Sequence, residues 1–130
     1  MKLDYNFIKE ILLIMEENDS HEIENLELMQ KLNISQEQED KFIGHILILG
    51  DSNLIASAHL KYPFGFAKPF LKSPYQIIND KYRMTAKGYE FLDMLKQDTI
   101  FNKVKNFTIT NAFEIGKQLL ISLATGAING

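Results

Sequence analysis

A mainly helical α+β fold is what this chain predicts, on three observations. The run Tyr82-Arg83-Met84-Thr85-Ala86-Lys87-Gly88-Tyr89-Glu90-Phe91-Leu92 reads as a strand that stops at a capped helix start. Ahead of it stand two short apolar helical stretches joined by Asn33-Ile34-Ser35, the spacing of a helix-turn-helix. Between those helices and the strand lies residues 61–74, where three prolines and one glycine preclude a regular helix. The resulting order of helix, helix, helix, strand, strand, helix is that of a winged helix-turn-helix: mainly α with a small β-wing, followed by a C-terminal helix.

The first helix starts at Asp4, whose carboxylate suits an N-cap, with Leu3 and Ile8 at the staple positions. Ile8, Ile11, Leu12 and Met15 follow helical spacing, and the helix is expected to end near Asn18. Glu16, Glu17, Asp19, Glu22 and Glu24 crowd the turn beyond it and read as solvated. A second helix is expected over about Ile23 to Leu32, from Ile23, Leu26, Met29 and Leu32. Ser35 and Gln38 fit a capping box at the start of the third, whose inward face is Phe42, Ile43, Ile46 and Leu47, and Gly50 stands where a left-handed residue would end it.

Leu54 to Leu60 is β-compatible after the Asp51-Ser52-Asn53 turn, and Tyr75 to Met84 holds two further short strands around Asn79-Asp80. The segment between them is the wing. Thr85 caps the next helix, Met84 and Tyr89 take the staple positions, and Phe91, Leu92 and Leu95 face inward. In the tail, Thr110 or Asn111 is expected to cap a helix whose apolar residues Ile109, Ala112, Phe113, Ile115, Leu119, Leu120, Leu123 and Ala124 exceed what a lone surface helix exposes. Residues 1–105 are read as the winged-helix domain and 106–130 as a docking or dimerisation helix.

Composition excludes several classes. The chain of 130 residues is 45% hydrophobic, enough for a real core. It has no cysteine, which rules out disulfides and thiolate metal sites and fits a reducing cytoplasm, the expected location. Lys9 and Glu10 interrupt the first apolar stretch, so no export signal is read. The longest uncharged run, Gln118 to Gly130, is 13 residues, short of the ~20 that span a bilayer, and no membrane partner is expected. The net charge of −3 conceals a split: residues 1–60 carry 4 lysines against 12 acids, whereas residues 61–130 carry 10 basic side chains against 5 acids. Such asymmetry serves a basic binding face, or simply attraction between the two halves.

The chain also resembles the Domain of Unknown Function 2513 family of bacterial and phage proteins. Asp4 to Met15, Gly50 to Ile55, Tyr82 to Leu92 and especially Phe91-Leu92-Asp93 followed by Asp98-Thr99-Ile100-Phe101-Asn102-Lys103 carry the resemblance, with Asp98-Thr99-Ile100-Phe101-Asn102 as its most specific part. It runs through about residue 105, with a looser match in the tail; the Pro- and Phe-rich loop is longer than the family's pattern. The resemblance implies a small winged-helix protein of phage or mobile-element type and brings no catalytic residues.

For function, the chemistry sits in charge. The start of the third helix, where a helix-turn-helix approaches base edges, reads Gln36-Glu37-Gln38-Glu39-Asp40 with Lys41 beyond. Acids there face a polyanion and better serve the helix N-terminus, leaving Gln36 and Lys41 as the DNA candidates on this helix. The wing is richer: Lys61, Lys68, Lys72, Lys81, Arg83 and Lys87 accumulate against Asp80 alone, interleaved with Tyr62, Phe64, Phe66, Phe70, Tyr75 and Tyr82. Cations hold phosphates and aromatics stack or wedge, while the phenylalanines, readily buried, are expected to fold back onto the core. In the tail, Phe113, Leu119, Leu120, Leu123 and Ala124 are candidates for a homodimer or partner contact.

Enzyme chemistry has no support: His21, His45 and His59 stand alone without metal-ligand spacing, no glycine run forms a phosphate loop and no nucleophile motif is present, so no metal or cofactor is expected. The expected function is binding of double-stranded DNA, as a transcriptional regulator, with contacts weighted to the wing. The alternative is a protein-interaction module that keeps the fold without a DNA surface.

Overall fold

The computed structural model describes residues 1–59 and 61–126. Leu60, the end of the first expected β-run, and residues 127–130 of the expected tail lie outside the described residues.

Helix α1 (Tyr5–Glu17) begins where expected, with an Asp4 carboxylate oxygen accepting from the Phe7 N–H at 3.1 Å. Tyr5, Ile8, Ile11, Leu12 and Met15 are its buried stripe. Beyond it the structure departs from the sequence reading. Glu22–Glu24 is a strand, β1, and not a solvated turn; the second helix therefore starts later, as α2 (Asn25–Lys31). A three-residue strand is too short for its alternation to be read, and its pairing partner lies far along the chain.

After Asn33 turns the chain at positive φ, a single 3₁₀ turn (Gln36–Gln38) leads into α3 (Glu39–Asp51). The Gln38 side chain accepts from the Ser35 N–H at 3.1 Å, as the capping box requires. Gly50 does not end α3 in a left-handed conformation; it lies inside the helix, and Asn53 takes the positive φ. What position 50 needs is the missing Cβ, because the ring of Phe64 packs against it.

Strand β2 (Ile55–Ser57) follows, then the long loop, which holds a second 3₁₀ turn (Pro63–Gly65) and a two-residue ladder of β3 (Phe66–Ala67) with β4 (Gln76–Ile77). Strand β5 (Lys81–Met84) runs antiparallel between β1 and β2, so the main sheet has the order β1-β5-β2. Ile23, Tyr82 and Met84 point to the core from this sheet, and the alternate residues Glu22, Glu24, Lys81 and Arg83 share its other face.

Thr85 then caps α4 (Ala86–Leu95), its hydroxyl accepting from the Gly88 N–H at 3.0 Å. A separate short helix that the sequence did not announce, α5 (Asp98–Val104), turns the chain toward α6 (Ile109–Ala124). The cap of α6 is Thr108, not Thr110 or Asn111: its hydroxyl accepts from Asn111 N–H at 3.4 Å. The first half of α6 packs on α4 and α5, where Ile109, Ala112 and Phe113 join the same core as α1, α3 and the sheet. The Phe113 ring stacks on Phe91 with centroids 6.2 Å apart, and Tyr5 donates to the Phe107 carbonyl at 2.7 Å.

Phe91, fully buried between Tyr5 and Phe113, is the aromatic centre of this packing. Phe91→Ala is expected to cost about 3–5 kcal/mol through lost transfer energy and an unfilled cavity, read as a lowered urea midpoint at an unchanged m-value.

Candidate nucleic-acid interface

The loop between β2 and β5 is held at its base by buried polar groups. Asn25, Asp80 and Ser57 converge there from α2, the residue before β5, and β2, and Asn25 and Asp80 are buried. Asn25 is bound in both directions to the chain before β5: its N–H donates to the Asp80 carbonyl at 2.9 Å, its amide nitrogen donates to the Ile78 carbonyl at 2.7 Å, and its side-chain oxygen accepts from the Asp80 N–H at 3.2 Å. Asp80 takes the Ser57 hydroxyl on one carboxylate oxygen and the Lys81 N–H, at 2.7 Å, on the other. Ser57 Oγ in turn accepts from the Phe64 N–H at 2.7 Å, and the Tyr82 hydroxyl donates to the Phe64 carbonyl at 2.6 Å. Burial pushes the Tyr82 phenol up, with the Asp80 charge adding to it, so this hydroxyl stays a donor.

Phe64 itself sits at φ 64°, a conformation that costs a side-chain-bearing residue energy. Both of its backbone groups and its ring are engaged, the ring against Gly50 and edge-on to Tyr82 at 5.3 Å, which is how the fold holds it there. Gly65 follows at φ 77°, where an added Cβ would run into the Ile78 carbonyl and the Asn25 amide. Phe64 and Phe66 thus fold back, as expected, with 9% and 6% exposure, whereas Phe70 is 75% exposed.

The candidate cations separate into three groups. Lys61, Lys68 and Lys72 are exposed on the loop, with the Lys61 ammonium 5.3 Å from the Tyr62 ring centre and that of Lys68 5.1 Å from Tyr75. Between Lys68 and Lys72 the tip presents Pro69, Phe70 and Leu71, all exposed. Lys81 and Arg83 are exposed on β5, but the register sets them opposite Glu24 and Glu22, so each cation has a carboxylate as its neighbour on the same sheet face. The third group is engaged elsewhere. Lys87 lies over the Phe113 ring at 4.8 Å on the α4–α6 side, and Lys41 pairs with Asp4 at 2.7 Å while its ammonium sits 4.9 Å from the centre of the Phe7 ring.

Gln36 is exposed on the 3₁₀ turn that leads into α3 and shares a groove of about 390 Å³ with Glu39, Asp40, Lys68 and Tyr75. The loop and the acidic helix start are therefore neighbours, and Lys68 faces that acidic edge. Of the tail candidates, Phe113 is buried in the core, Leu119, Leu120 and Leu123 are half-buried, and Ala124 is exposed. Sequence reasoning passed over Lys2 and Lys105, which with Lys41 line a pocket at the start of α1; nothing local in the sequence links three residues so far apart. No group of three His, Asp or Glu side chains that could hold a metal ion occurs among the described residues. None of their helices is long and apolar enough to cross a membrane.

His45, buried at 1% exposure, ties α3 to the start of α1. Its Nε2 accepts from the Asp4 N–H at 3.0 Å while Nδ1 lies 2.8 Å from the Lys41 carbonyl, the pattern of a neutral ring protonated at Nδ1. Burial lowers its pKa from the usual 6.5. The Lys41 ammonium beside Asp4 holds that carboxyl below its usual range.

With this geometry in place, comparison with known proteins adds one result. Residues 2–114 match the family model described as Hypothetical protein (DUF2513). The chain belongs to this family. The match spans the sheet, the long loop and α4, and reaches into the first turns of α6. Searches of curated proteins and of solved structures returned no match.

Two outcomes follow. Ser57→Ala removes the hydroxyl between Asp80 and Phe64 and is expected to cost about 1–3 kcal/mol by leaving the Phe64 N–H unsatisfied, with faster amide exchange in residues 61–78 than in α1. His45 binds a proton more weakly folded than unfolded. Stability is therefore full above the unfolded value of 6.5 and falls as pH drops from there toward the lower folded value. His45→Gln, which keeps an acceptor for Asp4, should flatten that decline in the urea midpoint.

Proposed function

We propose that this member of the DUF2513 family is a winged helix-turn-helix protein that binds double-stranded DNA through its long loop, as a regulator of transcription rather than an enzyme. The observation that carries the reading is the sheet order β1-β5-β2, with α1 ahead of β1 and with α2 and α3 between β1 and β2 along the chain, an order in which the long β2–β5 connection stands in the position of a wing. The wing combines a clamped base with an exposed Lys68-Pro69-Phe70-Leu71-Lys72 tip. Two cations flanking an apolar step suit a groove in which phosphates line both walls and a side chain can wedge between bases. The turn into α3, where Glu37, Glu39 and Asp40 follow Gln36, is assigned no phosphate contact. A second copy would be met along the C-terminal half of α6, where Ile121 is 57% exposed.

One observation favours the alternative, a protein-interaction module: Glu22 and Glu24 stand opposite Arg83 and Lys81, which blunts the attraction of that sheet face for a polyanion. Fluorescence anisotropy on mixed duplex DNA across ~50–200 mM salt separates the two readings. The DNA reading expects binding with a clear salt slope. It also expects the Lys68→Glu, Lys72→Glu double variant to weaken binding about tenfold or more, and Lys81→Glu with Arg83→Ala to have a smaller effect. Absence of binding at the lowest salt would leave the protein-partner reading.

A further inference from the structure

The fold assembles a second basic site, away from the loop, that no sequence motif marks. Lys2, Lys41 and Lys105 come from the chain start, α3 and the end of α5, and together with Asn6, Asn106 and Phe101 they line a pocket of about 410 Å³. Asp4 also lines it, but both of its carboxylate oxygens are committed, one to the Phe7 N–H at 3.1 Å and the other to Lys41 at 2.7 Å. That pairing balances the Lys41 charge. Lys2 and Lys105 are left as two exposed cations with no ion pair among the described residues. Lys105 and Asn106 also line the adjoining hollow that reaches Thr108 at the start of α6.

We propose that this pocket binds a phosphate group. The lining supplies what such a ligand needs: two cations free to pair with its oxygens, two side-chain amides to donate hydrogen bonds, and room for an attached sugar. Asp4, already neutralised, adds no net repulsion. The Asp4 bonds to Lys41 and His45 hold α3 against the start of α1 and so fix one wall of the site. The phosphate is that of a nucleic-acid backbone or of a free phosphomonoester. No residue of the loop lines this pocket, and the loop's own groove against Gln36, Glu39 and Asp40 shares none of its residues.

Amide chemical shifts test it. Titration with inorganic phosphate, against sodium chloride at equal ionic strength, should move the amides of Tyr5, Asn6, Lys105 and Asn106 saturably in phosphate only. A Lys2→Gln, Lys105→Gln double variant should lose that response, and a Lys117→Gln control should keep it. Duplex DNA and ribose 5-phosphate then separate the two sources. If DNA moves the same amides and the double variant shallows the salt dependence by about the equivalent of one to two phosphates, the ligand is a backbone. If only ribose 5-phosphate moves them, it is a free phosphomonoester. Because Phe70 and Leu71 amides report on the loop in the same spectra, loss of the loop contact and loss of the pocket are read separately. Responses that match chloride, or that persist unchanged in the double variant, overturn the proposal.

Discussion

The hydrogen-bonded clasp of Ser57, Asp80 and Phe64 is the constraint on which the rest of the loop depends. A connection of this length, with three prolines, cannot be organised by its own backbone pairing, and its own ladder amounts to two residues on each side. Its geometry comes instead from side chains supplied by the sheet. Ser57 on β2 and Tyr82 on β5 take the two backbone groups of Phe64 between them, and Asn25 fixes the chain that returns toward β5. In a low-dielectric setting such a network is strong when every member is satisfied. Every buried side-chain nitrogen and oxygen among the described residues has a partner.

The same sheet resolves the uneven charge of the chain. The acidic half supplies Glu22 and Glu24 and the basic half supplies Lys81 and Arg83, and the antiparallel register sets them against each other on the exposed face. Glu16 on α1 likewise meets Lys96 after α4 at 2.7 Å. Part of the asymmetry is therefore attraction within the fold. Exposed pairs of this kind contribute little stability each, so their larger effect is on the field the surface presents. The loop lysines and the Lys2–Lys105 pair remain as concentrations of positive charge, separated by the acidic start of α3.

The C-terminal helix is divided in role along its length. Up to Gly116 it is a core element, with Met94 filling the space a Cβ at position 116 would need. Beyond that point burial declines, and Ile121 is largely exposed. The apolar surplus of the tail in the sequence thus has two destinations, a core on α4 and α5 and a surface beyond it.

By itself the sequence determined the elements whose signals are local. Asp4 and Thr85 announce their helices because an N-cap acts over three residues, and Ile8, Ile11, Leu12 and Met15 announce a face because helical spacing is read within a few turns. The mainly helical α+β character and the family follow from such stretches. What tertiary structure alone decided are relations between residues remote in the chain: β1, whose existence rests on β5; the cap of α6 at Thr108, chosen by how α5 delivers the chain; and Gly50, whose role is set by the Phe64 ring and not by a turn. Of the candidate site, the loop's composition and the withdrawal of Phe64 and Phe66 were legible, but the exposure of Phe70, the engagement of Lys41 with Asp4, and the meeting of Lys2 with Lys105 were not. Burial, pairing and convergence are properties of packed surfaces, and one-dimensional spacing holds no record of which surfaces will meet.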